Sequence, residues 1–287
     1  MIVNKIQPQG YCNGVKRALE IVDKALKDKT IPRPIYLLGH IIHNKIVVNQ
    51  LKEKGAIIIE DKTKTRLELL DQINCGSVIF SAHGVSPEVV KKAKDKGLYI
   101  IDATCGYVNI VHNRIISYLN NGFDCIYVGT KNHPECEGVL GISKKIHFIS
   151  TLDDINKLNI TNDKIYMTNQ TTLSMFDLED IIKLLKEKYP NIIIDNKICN
   201  ATTIRQQAMA IQDKVDLCIV VGDSASSNTK KLALVSEKKA NIKTILCEDI
   251  NSLDKTILKK INSVSVSSGA STPDYVVDEI IDYLKSI

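Results

Sequence analysis

The chain has 287 residues, enough to bury a substantial core in one large domain or in two to three small ones. Its 44% hydrophobic and 25% charged residues are ordinary for a soluble globular protein, and no apolar run approaches the roughly 18–20 residues that span a bilayer. The formal charge is only +5, tryptophan is absent and no basic block is interleaved with aromatics, which argues against nucleic-acid binding.

The N-terminal segment MIVNKIQPQGYC lacks the basic-then-apolar pattern of a signal peptide, so a cytoplasmic location is expected. Its extended run closes at Cys12, where an amphipathic helix opens in CNGVKRALEIV. About two turns of helix are expected before a buried strand, PIYLLG, ends at Gly39. The next loop carries His43 and Asn44, and a further strand, SVIF, leads to His83. The same order then recurs. Cys105 sits at the second strand-to-helix junction, in YIIDATCGYVNIVHNRII. CIYVG then reaches Gly129 and the loop His133-Pro134-Glu135, and KIYMTNQTTLS carries Thr171 and Thr172. The last third repeats the plan with Cys199 in IIIDNKICNATTIRQQAM, then CIVVG to Gly222, then Ser226, Ser227 and Asn228. SVSVSSGASTP closes it with Ser271.

Cys12, Cys105 and Cys199 thus divide the chain into near-equal thirds, the signature of an internal repeat. Short apolar strands alternating with helices predict βαβ units and parallel sheets. The expected division is 14–103, 104–197 and 198–287, with segment 1–13 completing the third unit. A threefold arrangement would bring three thiols to one centre, each at a helix N-terminus that favours the thiolate. Eight cysteines do not predict disulfides in the cytosol. Cys75, Cys125, Cys218 and Cys247 read as small buried hydrophobes.

Three thiolates around one point suit zinc or an iron–sulfur cluster. Zinc sites usually draw on close Cys-x-x-Cys pairs, and none is present. A [4Fe–4S] cluster accepts widely separated cysteines, and with three of them one iron stays open to a substrate as a Lewis acid. Ligands of open α/β sheets bind beyond the carboxyl ends of the strands, where the histidines, serines and asparagine gather. That set suits a phosphate or diphosphate, although any one serine alone reads as a helix N-cap. No P-loop or Gly-x-Gly-x-x-Gly motif points to a nucleotide. Glu135, if enclosed, could hold a proton for delivery, with Thr171 or Thr172 as a relay. The expected reaction is reductive loss of a hydroxyl from an anionic substrate.

Several ordered strings then resemble one family. They are Gly10-Tyr-Cys-Asn-Gly-Val-Lys-Arg17, Ile42-His-Asn44, Ser81-Ala-His-Gly-Val-Ser-Pro87, Asp102-Ala-Thr-Cys105, His133-Pro-Glu135, Gln170-Thr-Thr-Leu-Ser174, Ile198-Cys199 with Ala201-Thr202, Ser226-Ser-Asn-Thr229 and Ser268-Gly-Ala-Ser-Thr-Pro273. Nearly the whole chain is similar to the 4-hydroxy-3-methylbut-2-enyl diphosphate reductase family (LytB/IspH). The resemblance implies an α/β fold, a pseudo-threefold trefoil of three similar units around a central [4Fe–4S] cluster. It implies Cys12, Cys105 and Cys199 as cluster ligands, with one iron open. It also implies His43, His83, Thr172, Ser226, Ser227, Asn228 and Ser271 as substrate contacts, with His133 and Thr171 near the substrate hydroxyl and Glu135 as the proton source. The implied products are isopentenyl and dimethylallyl diphosphates, and the implied electron donor is a ferredoxin or a flavodoxin.

Four positions depart from the family pattern: Gly106 in place of proline, Cys136 in place of an aliphatic residue, Asp223 ahead of Ser226, and His40 in place of proline. Gly106 is expected to loosen the backbone that aims Cys105. Asp223 is expected to repel a diphosphate. Cys136 reads either as a valine-sized hydrophobe or as a ligand to the open iron or to a second metal. These departures leave two alternatives: a paralogous [4Fe–4S] reductase for another small anionic substrate, or a non-catalytic redox-cluster protein.

Overall fold

The computed structural model describes residues 1–287. The chain opens with β1 (Ile2–Lys5), α1 (Asn13–Lys27), β2 (Ile35–Leu38), α2 (Lys45–Glu53), β3 (Ile57–Ile59), α3 (Arg66–Leu69), β4 (Ser77–Phe80), α4 (Pro87–Asp95) and β5 (Tyr99–Asp102). It continues through α5 (Gly106–Asn120), β6 (Asp124–Val128), α6 (Pro134–Leu140), β7 (Ile146–Ile149), α7 (Leu152–Lys157), β8 (Ile165–Asn169), α8 (Met175–Lys188) and β9 (Ile193–Ile194). The last part holds α9 (Asn200–Ala210), β10 (Leu217–Val221), α10 (Ser227–Val235), β11 (Thr244–Cys247), β12 (Ser263–Ser268) and α11 (Asp274–Ser286). No helix is long and apolar enough to cross a membrane.

The strands form three parallel four-stranded sheets, ordered β3-β2-β4-β5, β7-β6-β8-β9 and β11-β10-β12-β1. In each, the unit's first strand pairs with its second on one side and its third on the other. The fourth place of the last sheet is filled by β1, with Ile2 opposite Ser263. Alternation along the central strands explains why each sheet carries two cores. Ile126 and Val128 of β6 point into one buried cluster, and Cys125 and Tyr127 into the other. Strand β10 repeats this, with Leu217, Ile219 and Val221 on one face and Cys218 and Val220 on the opposite face.

The register brings equivalent ends together: Leu38 pairs with Phe80, Val128 with Asn169, and Val221 with Ser268. The chain leaves each pair in the same direction, and loops from all three sheets line one cavity. Gly39 turns the first of these exits at φ +81°, and a side chain there would strike the Arg66 guanidinium.

Two expectations are corrected. The helices after Cys12 and Cys105 each run 15 residues rather than about two turns, because their apolar stripes continue through Ala25 and Ile115. Cys75 is exposed, in the turn leading into β4, and packs in no core. Cys125, Cys218 and Cys247 are buried as expected.

Candidate active site

Cys12, Cys105 and Cys199 are the N-cap residues of α1, α5 and α9. Each is extended, and none of the three thiols makes the usual N-cap hydrogen bond. They turn toward one another. A Cβ on Gly14 would lie 2.8 Å from Cys105 Sγ and 3.8 Å from Cys12 Sγ, so only glycine fits between them. Burial pushes the Cys105 and Cys199 thiols up, opposed by backbone N–H groups of Tyr107 and Val108 at Cys105 and of Thr202 at Cys199. Three poorly hydrated sulfur donors, all at helix N-termini, fit a cationic metal centre that replaces the missing solvation.

The thiols wall one side of a cavity of about 110 Å³ that draws on all three units. Every expected site residue lines it: besides the thiols, His43, His83, His133, Glu135, Thr171, Thr172, Ser226, Ser227, Asn228 and Ser271. No lysine or arginine does. An anion here would be held by neutral donors and by the N-termini of α2 and α10, capped by Asn44 and Ser226. Ser226 Oγ accepts the Thr229 N–H at 3.4 Å, which leaves its own proton to give. Ser271 Oγ donates to the His43 carbonyl at 3.1 Å and so ties the third unit to the first. Asn228 Nδ2 and His43 Nε2 are buried without a partner in the protein, and such atoms mark where a ligand's polar groups belong.

The three histidine rings meet with centroids 4.7, 5.5 and 5.7 Å apart. Burial lowers His43 to about 4, His133 to about 3 and His83 well below its usual value, so all are neutral at pH 7. Their ring nitrogens come within 4.8 Å of one another, a grouping that invites a metal ion. The hydrogen bonding argues otherwise. His133 Nδ1 accepts the Glu135 N–H at 3.2 Å, so the neutral ring carries its proton on Nε2. His133 therefore offers a donor, which suits an anionic oxygen better than a cation.

Glu135 sits in the first turn of α6 with 1% of its surface exposed. Its Oε1 accepts the Thr171 N–H at 2.8 Å, and its Oε2 lies 3.0 Å from the Thr171 hydroxyl. Burial raises the carboxyl to about 7, with the Thr171 bonds and the Tyr127 hydroxyl opposing the rise. A carboxyl poised there can hold and release a proton near neutral pH.

Residues 3–285 match the model of the LytB protein family. The chain belongs to the LytB family. A 4-hydroxy-3-methylbut-2-enyl diphosphate reductase of Geobacillus sp. (strain WCH70) is 47% identical over 287 residues, covering 99% of this chain and 90% of that one. One of Bacillus subtilis (strain 168) is 46% identical, at 99% and 91% coverage. Among solved structures, the E-1-hydroxy-2-methyl-but-2-enyl-4-diphosphate reductase of Plasmodium falciparum superposes with TM-score 0.90 and 39% identity, covering 98% of this chain and 87% of that one. A second, described as the terminal enzyme of the non-mevalonate pathway, gives TM-score 0.69 and 30% identity over the whole of both chains.

The four departures from the LytB pattern now have local explanations. Gly106 faces open space, and the backbone of Cys105 is held on both sides: its N–H donates to the Ala82 carbonyl at 3.0 Å, and its carbonyl accepts the Asn109 N–H at 3.0 Å. The expected loosening is offset there. His40 donates its N–H to Glu60 at 3.0 Å and does not line the cavity. Asp223, expected to repel a diphosphate, turns its carboxylate to the Lys45 N–H at 3.1 Å and the Ala225 N–H at 2.7 Å. It thus caps α2 from the neighbouring unit. Asp223→Ala should therefore lower stability by about 1–2 kcal/mol, read from urea unfolding, rather than tighten substrate binding.

Cys136 is 2% exposed in the cluster with Tyr127, Val139 and Tyr166, and its Sγ lies 3.5 Å from Gln170 Oε1. It does not line the cavity, so the extra-ligand reading is withdrawn. Cys136→Val is expected to change melting temperature and cluster absorbance little. A lost or altered cluster signal in that variant would restore the ligand reading.

Some contributors were given no role by the sequence. Thr202 meets the Cys199 thiol at 3.2 Å and Asn228 Oδ1 at 3.4 Å. Gln170 Nε2 reaches Thr172 at 2.9 Å and Ser227 at 3.5 Å. Arg66 binds Glu137 at 3.1 Å and so anchors α6, which carries Glu135, to the first unit. Thr202, one helical turn after a ligand cysteine, and Gln170, beside Thr171, had a signal in the quoted strings, whereas Arg66 had none.

Proposed function

We propose that this protein is a 4-hydroxy-3-methylbut-2-enyl diphosphate reductase. It removes the substrate's hydroxyl reductively to give isopentenyl and dimethylallyl diphosphates. The observation that carries this reading is the buried Glu135–Thr171 pair facing three clustered thiols across a cavity furnished with neutral anion donors.

Cys12, Cys105 and Cys199, at the starts of α1, α5 and α9, would hold a [4Fe–4S] cluster where the three units 14–103, 104–197 and 198–287 with 1–13 meet. When bound, the cluster supplies reducing electrons and an iron with an open position for the substrate's hydroxyl. The diphosphate lies against His43, His83, Ser226, Ser227, Asn228 and Ser271, where neutral donors replace the water it leaves. Asn228 Nδ2 finds there the acceptor it lacks within the protein. His133 presents Nε2–H to an oxygen of the substrate, and Thr172 closes the same wall. Glu135 holds the proton that the departing hydroxyl takes up, and the Thr171 hydroxyl stands between them. An electron carrier would need neither the acid nor the anion donors.

The physiological donor would be a ferredoxin or flavodoxin in the cytoplasm. The test is anaerobic turnover of 4-hydroxy-3-methylbut-2-enyl diphosphate by cluster-loaded protein with a strong one-electron reductant. Formation of the two five-carbon diphosphates is expected. An intact cluster with no conversion would move the protein to another small anionic substrate.

A further inference from the structure

Tyr127 lies on β6 behind Glu135 and has no exposed surface. A buried phenol needs a hydrogen-bond partner, and its oxygen partner is the acid itself: Tyr127 Oη lies 3.4 Å from Glu135 Oε1, with the Cys136 thiol beside the same hydroxyl. The same Oε1 already accepts the Thr171 backbone N–H at 2.8 Å. A backbone amide can only donate, so Oε1 faces two donors and has no free direction for a proton of its own. Oε2 has one neighbour, the Thr171 hydroxyl at 3.0 Å, and that hydroxyl lines the cavity.

We propose that Tyr127 is a positioning residue that confines the acid proton of Glu135 to Oε2 and so sends it toward the cavity through Thr171. The proposal rests on the role of Glu135 as the acid. In the transfer, the Oε2–H bond breaks and Thr171 Oγ1 takes that proton. The threonine's original hydroxyl proton passes to the departing hydroxyl, which leaves as water. Glu135 is left as a carboxylate whose Oε1 keeps both donors, and Thr171 regains its starting form.

The titratable groups around the carboxyl are few. Tyr127 faces it from β6, His133 and Cys136 from its own helix α6, and Cys105 from the start of α5. His133 and Cys136 stay neutral through the working range, the first held down and the second held up by burial. Of these groups, the Tyr127 hydroxyl is the one whose side chain donates to the carboxylate.

The test is Tyr127→Phe in the cluster-loaded enzyme, which removes one oxygen and keeps the ring that fills the core. Turnover should fall about tenfold with KM unchanged, because Tyr127 does not touch the cavity. The titration midpoint of Glu135 is read as its C=O band in infrared difference spectra against Glu135→Gln. It should move to higher pH by about one unit, since the carboxylate loses a donor. A fall in turnover without movement of that midpoint, or no change in either, overturns the proposal. Fluorotyrosine placed at 127 strengthens the donor without changing its shape and should move the midpoint to lower pH; an unmoved midpoint again overturns the proposal. Cys136→Val is the packing control beside the same hydroxyl and should leave both readings in place. If Glu135→Gln keeps its turnover, the acid role fails by itself, independently of Tyr127.

Discussion

Glu135→Gln is expected to lower turnover by about 10²-fold or more while the cluster's absorbance stays intact. Glutamine can still accept the Thr171 N–H and donate to the Thr171 hydroxyl, so the site keeps its shape and loses only the acid. The parent enzyme should lose activity as pH rises through about 7, where the carboxyl ionises, and that alkaline limb should vanish in the variant. Stability follows the same group with a definite sign. The folded carboxyl is raised to about 7 from the ordinary 4.5, so between those values the native state binds more protons than the unfolded one. Stability from this group is therefore full below about 4.5 and is lost as pH climbs to about 7. At pH 8 the glutamine variant should be more stable than its parent by up to about 3 kcal/mol, read from urea unfolding. Unchanged turnover would assign protonation to another group. A variant no more stable than the parent at pH 8 would contradict the raised carboxyl.

Cys105→Ser should abolish turnover by removing the cluster rather than by disturbing the fold. Serine is close in size, but at neutral pH its hydroxyl does not ionise into the soft donor that iron prefers. Cys105 is also the thiol pressed against Gly14, at the meeting point of α1 and α5. Iron and sulfide per chain should fall well below those of the parent, with far-ultraviolet circular dichroism retained because α5 keeps its start at residue 106. Full cluster content in the variant would strike Cys105 from the ligand set.

Both expectations were anchored in residues that the amino-acid sequence already singled out. Cys12, Cys105 and Cys199 recur at one kind of junction, and a strand-to-helix junction in a parallel unit opens toward the ligand end of its sheet. His43, His83, His133, Ser226 and Ser271 follow from the same rule, because loops after apolar strands in such units gather at that end. Cys136 was different. Its neighbours in sequence, Glu135 and Glu137, are polar, and nothing local distinguishes a thiol turned to the cavity from one turned to the core. The turn of α6 against Tyr127 and Tyr166 settles it.

Asp223 and Cys75 show the same limit from opposite sides. The acid, out of place beside an anion site, is partnered by an N–H of α2 in another unit, 178 positions away in the chain. The cysteine read as core from its type alone, yet it lies in a rim turn that no element covers. Tyr127 read as one apolar residue in the strand CIYVG. Its hydroxyl acquires a role only because β6 packs against α6 with the Glu135 carboxyl between them.

The sequence by itself determined the repeat, the parallel sheets, the three junction cysteines and the polar loops, since these depend on periodicities of two and 3.6 residues and on short-range backbone geometry. Only the tertiary structure decided which polar groups are dry, which are already partnered, and on which oxygen of Glu135 a proton can sit. Those properties depend on distances between segments far apart in the chain, and packing, not local pattern, sets such distances.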